Sequence, residues 1–236
     1  SIGSRRYPPI SRLWLPVALV NVTTNGATLQ APPIVAELEA VFAKLDDEPL
    51  ISALSKRRGP KGYGERTMWH CLLVRYYLGL PSVAALIRTL NQNPFIGMAC
   101  GLPPGQVPQK AAFSKFFARL SKYKIAAKVK DVSRSMVRRS YAEIPGFGRR
   151  EALDSTTLKA WSNGGKNPKA DKDAGWSVKQ NTHGNKEYTF GYKLHLLVDC
   201  ETETPIAANV SAGNVNDVTR ATAVLSEERF ATGKAI

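Results

Sequence analysis

Apolar positions follow two different periods along this chain. Between residues 34 and 141 they recur every three or four positions, the spacing of helices that bury one stripe. Ile34, Leu38, Val41, Phe42 and Leu45 predict a helix over 34–45. Met68, Leu72, Leu73 and Tyr76 predict a second, with Thr67 as its N-cap and an end near Gly79. Pro81 and Ser82 open a third, striped by Val83, Leu86, Ile87 and Leu90 and closed by Asn93-Pro94. The Gly- and Pro-rich stretch 95–108 reads as loop. Phe113, Phe116, Phe117 and Leu120 form a core-facing aromatic stripe. Ile125, Val129, Val132 and Met136 predict the buried face of a helix over 125–141, with Lys130, Arg134 and Arg138 every four residues on another face.

Beyond residue 150 the period drops to two. Residues 151–156 read as a strand ending at Asp154, and the polar stretch 161–184 as a long surface excursion. From 188 to 199 the residues alternate, with one face firmly packed. Tyr188, Phe190, Tyr192, Leu194, Leu196 and Val198 fall on one side, and Gly191, Lys193, His195, Leu197 and Asp199 on the other. A turn at 201–204 and a second apolar run at 205–211 make a hairpin. Asn214 and Asp217 then offer caps to a helix whose stripe is Val218, Ala221 and Leu225, with Val224 beside them. Periodicity and charge change together at the Pro145-Gly146 break. The expected division is therefore an irregular arm over 1–33, a helical basic domain over 34–145 and a third segment over 146–236.

Composition narrows the function. The chain has 236 residues, 43% hydrophobic and 22% charged, which excludes disordered and fibrous classes. Its net charge of +14 is unevenly placed: residues 1–150 carry +15 and residues 151–236 carry −1. A basic region beside a neutral one suggests docking onto a polyanion by the first and chemistry by the second. Residues 110–150 hold 12 Lys and Arg against 2 Asp and Glu, a face suited to a nucleic-acid backbone. The basic, Gly-rich stretch 56–64 is a second candidate for phosphate contact. The apolar run 13–20 contains Pro16 and is too short to span a membrane, so an arm rather than a leader is expected there. Cys71, Cys100 and Cys200 make no paired motif, which fits a reducing cytoplasm.

Further residues carry a resemblance. Asp154-Ser155-Thr156 is followed by Asp171, Asp173, Ala174, Trp176 and Lys179, then by Gly191-Tyr192-Lys193-Leu194-His195, then by Asn214 and Asp217. In that order, and with the helical segment 75–120 ahead of them, they resemble a bacterial insertion-sequence transposase of the DDE type. The resemblance implies an α+β chain: an N-terminal all-helical domain, then the first part of a ribonuclease-H-like mixed α/β domain. It implies DNA cleavage and strand transfer at the ends of an insertion sequence, with Mg2+ (Mn2+ as an alternative) bound between carboxylates. Paired ions about 4 Å apart neutralise phosphate charge and activate the attacking and leaving oxygens.

Family members supply three such carboxylates, and Asp154 matches the first. Lys193 and His195 would hold a phosphate or order the site, and Trp176 and Lys179 would contact DNA or anchor the excursion. Lys130, Arg134 and Arg138 complete the candidate nucleic-acid contacts. The implied partners are double-stranded DNA, both terminal repeats and target, and further copies of the chain, in the nucleoid of a bacterial cytoplasm. The second and third family carboxylates lie beyond this sequence, and Glu227 and Glu228 follow the hairpin too closely to replace the last. The expectation is a partial chain that binds DNA without cutting it, with an incomplete sheet that leaves apolar surface and a strand edge uncovered. The alternatives are a non-catalytic protein occupying transposon ends and an RNA-directed nuclease of the same fold.

Overall fold

Residues 22–24, 27–29, 31–55, 62–160, 162, 164, 171–180 and 183–232 are described, in a computed structural model. Local side-chain chemistry accounts for several element boundaries. Ser82 accepts a hydrogen bond from the Ala85 amide at 3.1 Å and so starts α4 (Val83–Gln92). Pro33 stands at the first turn of α1 (Pro33–Ala43), where its missing amide costs nothing. Gly79, at φ +62°, ends α3 (Glu65–Tyr77), and the Leu80 amide bonds back to the Arg75 carbonyl.

The described helices before the sheet are α1, α2 (Glu48–Ser55), α3, α4, α5 (Pro94–Ala99), α6 (Lys110–Leu120) and α7 (Tyr123–Glu143). A short hairpin precedes them, β1 (Val22–Thr24) with β2 (Ala27–Leu29), where an irregular arm was expected. Residues 1–21 and most of the basic stretch 56–64 lie outside the described residues. Two compact units divide at Val132 and Ser133, inside α7. The expected boundary at 145/146 lies beyond this division, just after the end of α7. The last turns of α7 already belong with the second unit, through Val137, Tyr141 and Ile144.

In the first unit the core runs through Leu38, Leu50, Leu54, Leu72, Leu86, Leu90, Phe113 and Phe116. The aromatic stripe of α6 is thus buried as expected, each phenyl contributing about 1.5–3 kcal/mol. Three local expectations change. Gly64, not Thr67, is the N-cap of α3, and the Thr67 hydroxyl instead donates to the Gly101 carbonyl. The stretch read as loop contains α5, which Pro94 starts at once after α4 ends. On α7 the buried position is Val137, not its neighbour Met136, which is exposed.

The second unit holds one antiparallel sheet and α8 (Asp217–Thr232). Its long central strand is β5 (Lys186–Asp199). β3 (Glu151–Lys159) pairs along one side of it, from Glu151 opposite Asp199 to Lys159 opposite Gly191. The other side is shared. β4 (Gly175–Gln180) pairs with residues up to Gly191, and β6 (Pro205–Ala212) takes over from Tyr192. Two glycines permit that handover: a Cβ on Gly191 would collide with the Leu158 carbonyl, and one on Gly213 with the Gly175 carbonyl.

Two sequence expectations are corrected here. The 161–184 stretch is not wholly an excursion, because Gly175–Gln180 within it is the strand β4. Asp154 does not end its strand but sits in the middle of β3. Among the described residues the outer edge of β3 has no strand beside it.

The face that helices cover is also not the one its composition suggests. The paired rows Ser155–His195–Asn209 and Thr157–Lys193–Ser211 share the covered face with Leu197 and Ala207. Val224 of α8 and Val137 of α7 pack with Leu197, Ile206 and Ala207 into this unit's core. On α8 the buried position is Val224, while Val218 and Leu225 face outward. The opposite face carries Leu158, Trp176, Tyr188, Val210 and the even-numbered residues of β5, and is only partly covered.

Candidate functional site

Asp154 pairs across the sheet with Leu196, which puts it on the open, apolar face. Its side chain is exposed, and the Ser155 amide donates to Asp154 Oδ1 at 2.7 Å. Among the described residues the strand pairs on one side only, with β5. Asp154 is therefore an accessible carboxylate in the middle of β3, whose outer edge carries no strand among the described residues. It offers Mg2+ one hard oxygen ligand. Among the described residues no three His, Cys, Asp or Glu side chains converge on a common point. Asp154 therefore fits one position of a Mg2+ shell, and these residues do not by themselves complete a metal site. Mg2+ commonly sits on one or two carboxylates and keeps waters and phosphate oxygens elsewhere.

At one end of the same face the chain crosses the sheet. Gly164 lies against Trp176 and Phe190, whose rings are 5.4 Å apart, so closely that a Cβ there would collide with both. Asp171 accepts a hydrogen bond from the Tyr192 hydroxyl at 2.6 Å. That bond, with burial and the negative charges of Asp171 and Asp173, pushes the Tyr192 phenol up to about 12. Trp176 is 49% exposed and Lys179 is fully on the surface of β4.

Lys193 and His195 lie on the other face, beneath α8. His195 is 2% exposed, and its Nε2 is 2.9 Å from Ser211 Oγ. Lys193 Nζ donates to the Val215 carbonyl at 3.0 Å and to Asp217 Oδ1 at 3.1 Å. Asp217 Oδ1 is also 3.7 Å from His195 Nδ1. Burial pulls the Asp217 carboxyl upward, but Lys193, Ser155 and His195 together outweigh it and hold it below the usual range. Ser211, His195 and Asp217 follow the order of a hydrolytic triad. Ser211 is buried, however, and its hydroxyl donates to the Ala212 carbonyl, so the trio joins strands and helix instead of presenting a nucleophile.

This arrangement separates the sequence candidates. Asp154 faces outward, while Lys193 and His195 are enclosed on the opposite face and already engaged. Asp217, read as a cap, anchors Lys193, and the cap of α8 is Asn216, whose Oδ1 accepts from the Val218 amide at 3.1 Å. On α7, Lys130 and Arg138 are exposed, but Arg134 is paired with Glu227 at 2.6 Å and half-buried.

α6 holds a surface the aromatic pattern concealed. Lys110, Ala111, Ser114, Lys115 and Ala118 are all exposed, opposite Phe113 and Phe116. At about 100° per residue the two lysines flank the three small side chains. The signal lay in the residues between the phenylalanines.

Residues 30–119 match the family described as Transposase domain (DUF772), and residues 146–236 match the Transposase DDE domain. Neither a curated protein nor a solved structure matches the chain. Both family descriptions name one class, a transposase, and they fall in order on the helical unit and on the sheet. Together the two matches indicate an insertion-sequence DDE transposase. Its α+β architecture, helices first and an antiparallel sheet after them, agrees. No described helix is long and apolar enough to cross a membrane.

Proposed function

We propose that this chain acts on double-stranded DNA, cleaving and joining it at the ends of an insertion sequence, with Asp154 as the first carboxylate of a Mg2+-dependent, ribonuclease-H-like centre. The observation that carries the reading is the placement of Asp154: exposed, at mid-strand, on the open face of an edge strand inside the segment that matches the DDE domain. A divalent ion bound there would neutralise phosphate charge and lower the cost of forming an attacking oxyanion. Asp154 would supply one hard oxygen to it, held in place by the Ser155 amide. Mn2+ suits the same oxygen ligand.

The duplex would be held by exposed cations of the basic part of the chain: Lys110 and Lys115 on α6, and Lys130 and Arg138 on α7. Lys179 lies on the sheet's rim and would reach a flanking phosphate. Lys193 and His195 order the fold beneath α8 instead of touching DNA. Such phosphate contacts position the protein without choosing a sequence. The terminal repeats and the target are the two duplexes the reaction needs, and joining two ends calls for more than one copy of the chain.

In the transposase, Asp154→Asn is expected to abolish Mg2+-dependent cleavage while duplex affinity changes less than about twofold. Equal loss of cleavage and binding would overturn the ligand role. Wild-type binding with no cleavage in Mg2+ or Mn2+ would favour a protein that occupies transposon ends without reaction. Affinity should fall steeply with salt, and Lys110→Ala or Lys115→Ala should each lower the slope of log affinity on log salt by about 1. A salt-independent affinity would remove the α6 surface from the account.

A further inference from the structure

We infer that Trp176 and Tyr188 are a stacking platform for unpaired DNA bases close to the cleaved phosphate; this rests on the reading that the chain cleaves DNA at Asp154. The β4–β5 pairing puts three rows side by side. Trp176 lies opposite Phe190, Val178 opposite Tyr188, and Gln180 opposite Lys186. Strand alternation places all six on one face, and that face also carries Asp154. Trp176, Val178 and Tyr188 are 49%, 53% and 62% exposed. The buried positions of β4 are Gly175 and Ser177. The hairpin thus turns its large apolar side chains outward and its small ones inward, the reverse of what burial alone favours.

The indole is held ready for contact. Phe190 stands 5.4 Å from it, centroid to centroid, and a Cβ on Gly164 would collide with both rings. Trp176 is fixed along one side and open along the rest, so a base that stacks on it orders little that is not ordered already. Charge decides which partner fits. Lys186 ends the same face beside the rings, and residues 175–186 hold two lysines and no Asp or Glu. A wholly apolar partner would cover that lysine without a counter-charge. A nucleotide offers both halves, a base face for the rings and a phosphate for Lys186. Paired bases hide their faces in the stack, so the ligand is an unpaired or frayed stretch and not intact duplex. From Phe190 to Leu196, the residue opposite Asp154, the span along β5 is about 20 Å. At roughly 3.4 Å per base along one strand, the bases held lie some six positions from the phosphate at Asp154.

The experiment measures binding of the whole chain, without divalent ions, to a blunt duplex and to the same duplex with about six mismatched end pairs. One mismatched strand carries 2-aminopurine, whose fluorescence falls when it stacks. Wild type should bind the frayed DNA about tenfold more tightly than the blunt one, with the probe quenched. Trp176→Leu keeps apolar bulk but has no π-face, and should bind the two DNAs alike without quenching. Trp176→Phe should keep most of the preference. Lys186→Ala should lower the salt slope on frayed DNA by about 1. Should Trp176→Leu not fold, Tyr188→Leu, at the more exposed ring, decides in its place. Equal wild-type affinity for the two DNAs, or a Leu as good as a Phe at 176, would overturn the inference and leave the DNA reading standing. A chain that dimerises without DNA, and no longer does so as Trp176→Leu, would assign the face to a second copy instead. If wild type binds neither DNA, the reading of the chain as acting on DNA fails and the platform falls with it.

Discussion

The two faces of the β3–β5–β6 sheet reverse the usual assignment of polar and apolar residues. The face under α7 and α8 carries Ser155, Thr157, Lys193, His195, Asn209 and Ser211, with Leu197 and Ala207 as its apolar end. The partly covered face carries Tyr192, Leu194, Leu196, Val198 and Val210 around Asp154. Of these polar groups Lys193 and His195 share one carboxylate, Asp217, and His195 also meets Ser211, while Thr157 Oγ1 and Asn209 Oδ1 are buried without a hydrogen-bond partner. The contrast teaches that the covered face is built for position and the open face for contact. The carboxylate read as a ligand stands on the second.

The sharpest way to break this contrast is to truncate the same residue type on each face. Leu197→Ala, in the covered core at 3% exposure, should cost about 2–4 kcal/mol in a urea melt. Leu196→Ala, part-buried on the face of Asp154, should cost less, about 1–2 kcal/mol. Equal costs would mean that both faces are equally packed. Next in size is His195→Ala, which removes the imidazole between Ser211 and Asp217 and should cost about 1–2 kcal/mol. A stabilising result would show the buried polar row to be a defect.

Two pH effects are smaller and of opposite sign. Asp199 is completely buried and takes hydrogen bonds from the backbone amides of Gly148 and Thr202, at 2.9 and 2.8 Å. The Gly148 bond foremost, with those of Thr202 and Glu201, outweighs burial and keeps its carboxyl below the usual range. A depressed carboxyl stabilises the fold above its unfolded-state value, about 4, and that contribution is lost as pH falls through the folded value. Melts of Asp199→Asn should therefore show a weaker acid-side decline than wild type. On the open face Tyr192 behaves in reverse. Its raised phenol favours the folded state below about 10 and loses that contribution as pH rises through its folded value of about 12. Ultraviolet titration should show one tyrosine ionising late, and Asp171→Asn should bring it back toward the others.

What was legible in the sequence is what neighbouring residues decide. Ser82 caps the helix after it because the bond is three residues long, and Phe113 and Phe116 are buried because they share a stripe with no competitor. The hairpin of β5 and β6 followed from alternation and turn length alone. Which side of β5 is covered did not, since alternation defines two faces and the choice belongs to α8, more than twenty residues away. The same choice exposes Val218 and Leu225 and buries Val224, although all three are apolar. Gly175–Gln180 escaped notice because β4 is short, polar and made a strand only by pairing with Lys186–Gly191. Asp154 was found as a residue but misplaced at a strand end, because nothing local says that β3 runs on to Lys159. The pairing of Asp217 with Lys193 joins residues distant in sequence, and no spacing could reveal it.

The most direct measurement is a crystal of the chain bound to a short duplex and soaked in Mn2+, read by anomalous scattering. The expected result is a peak within about 2.2 Å of an Asp154 carboxylate oxygen, on the open face of β3, with the Lys193–Asp217 pair intact beneath it. A peak at Asp217 with none at Asp154, or an Asp154 side chain turned toward α8, would contradict the division of labour between the two faces.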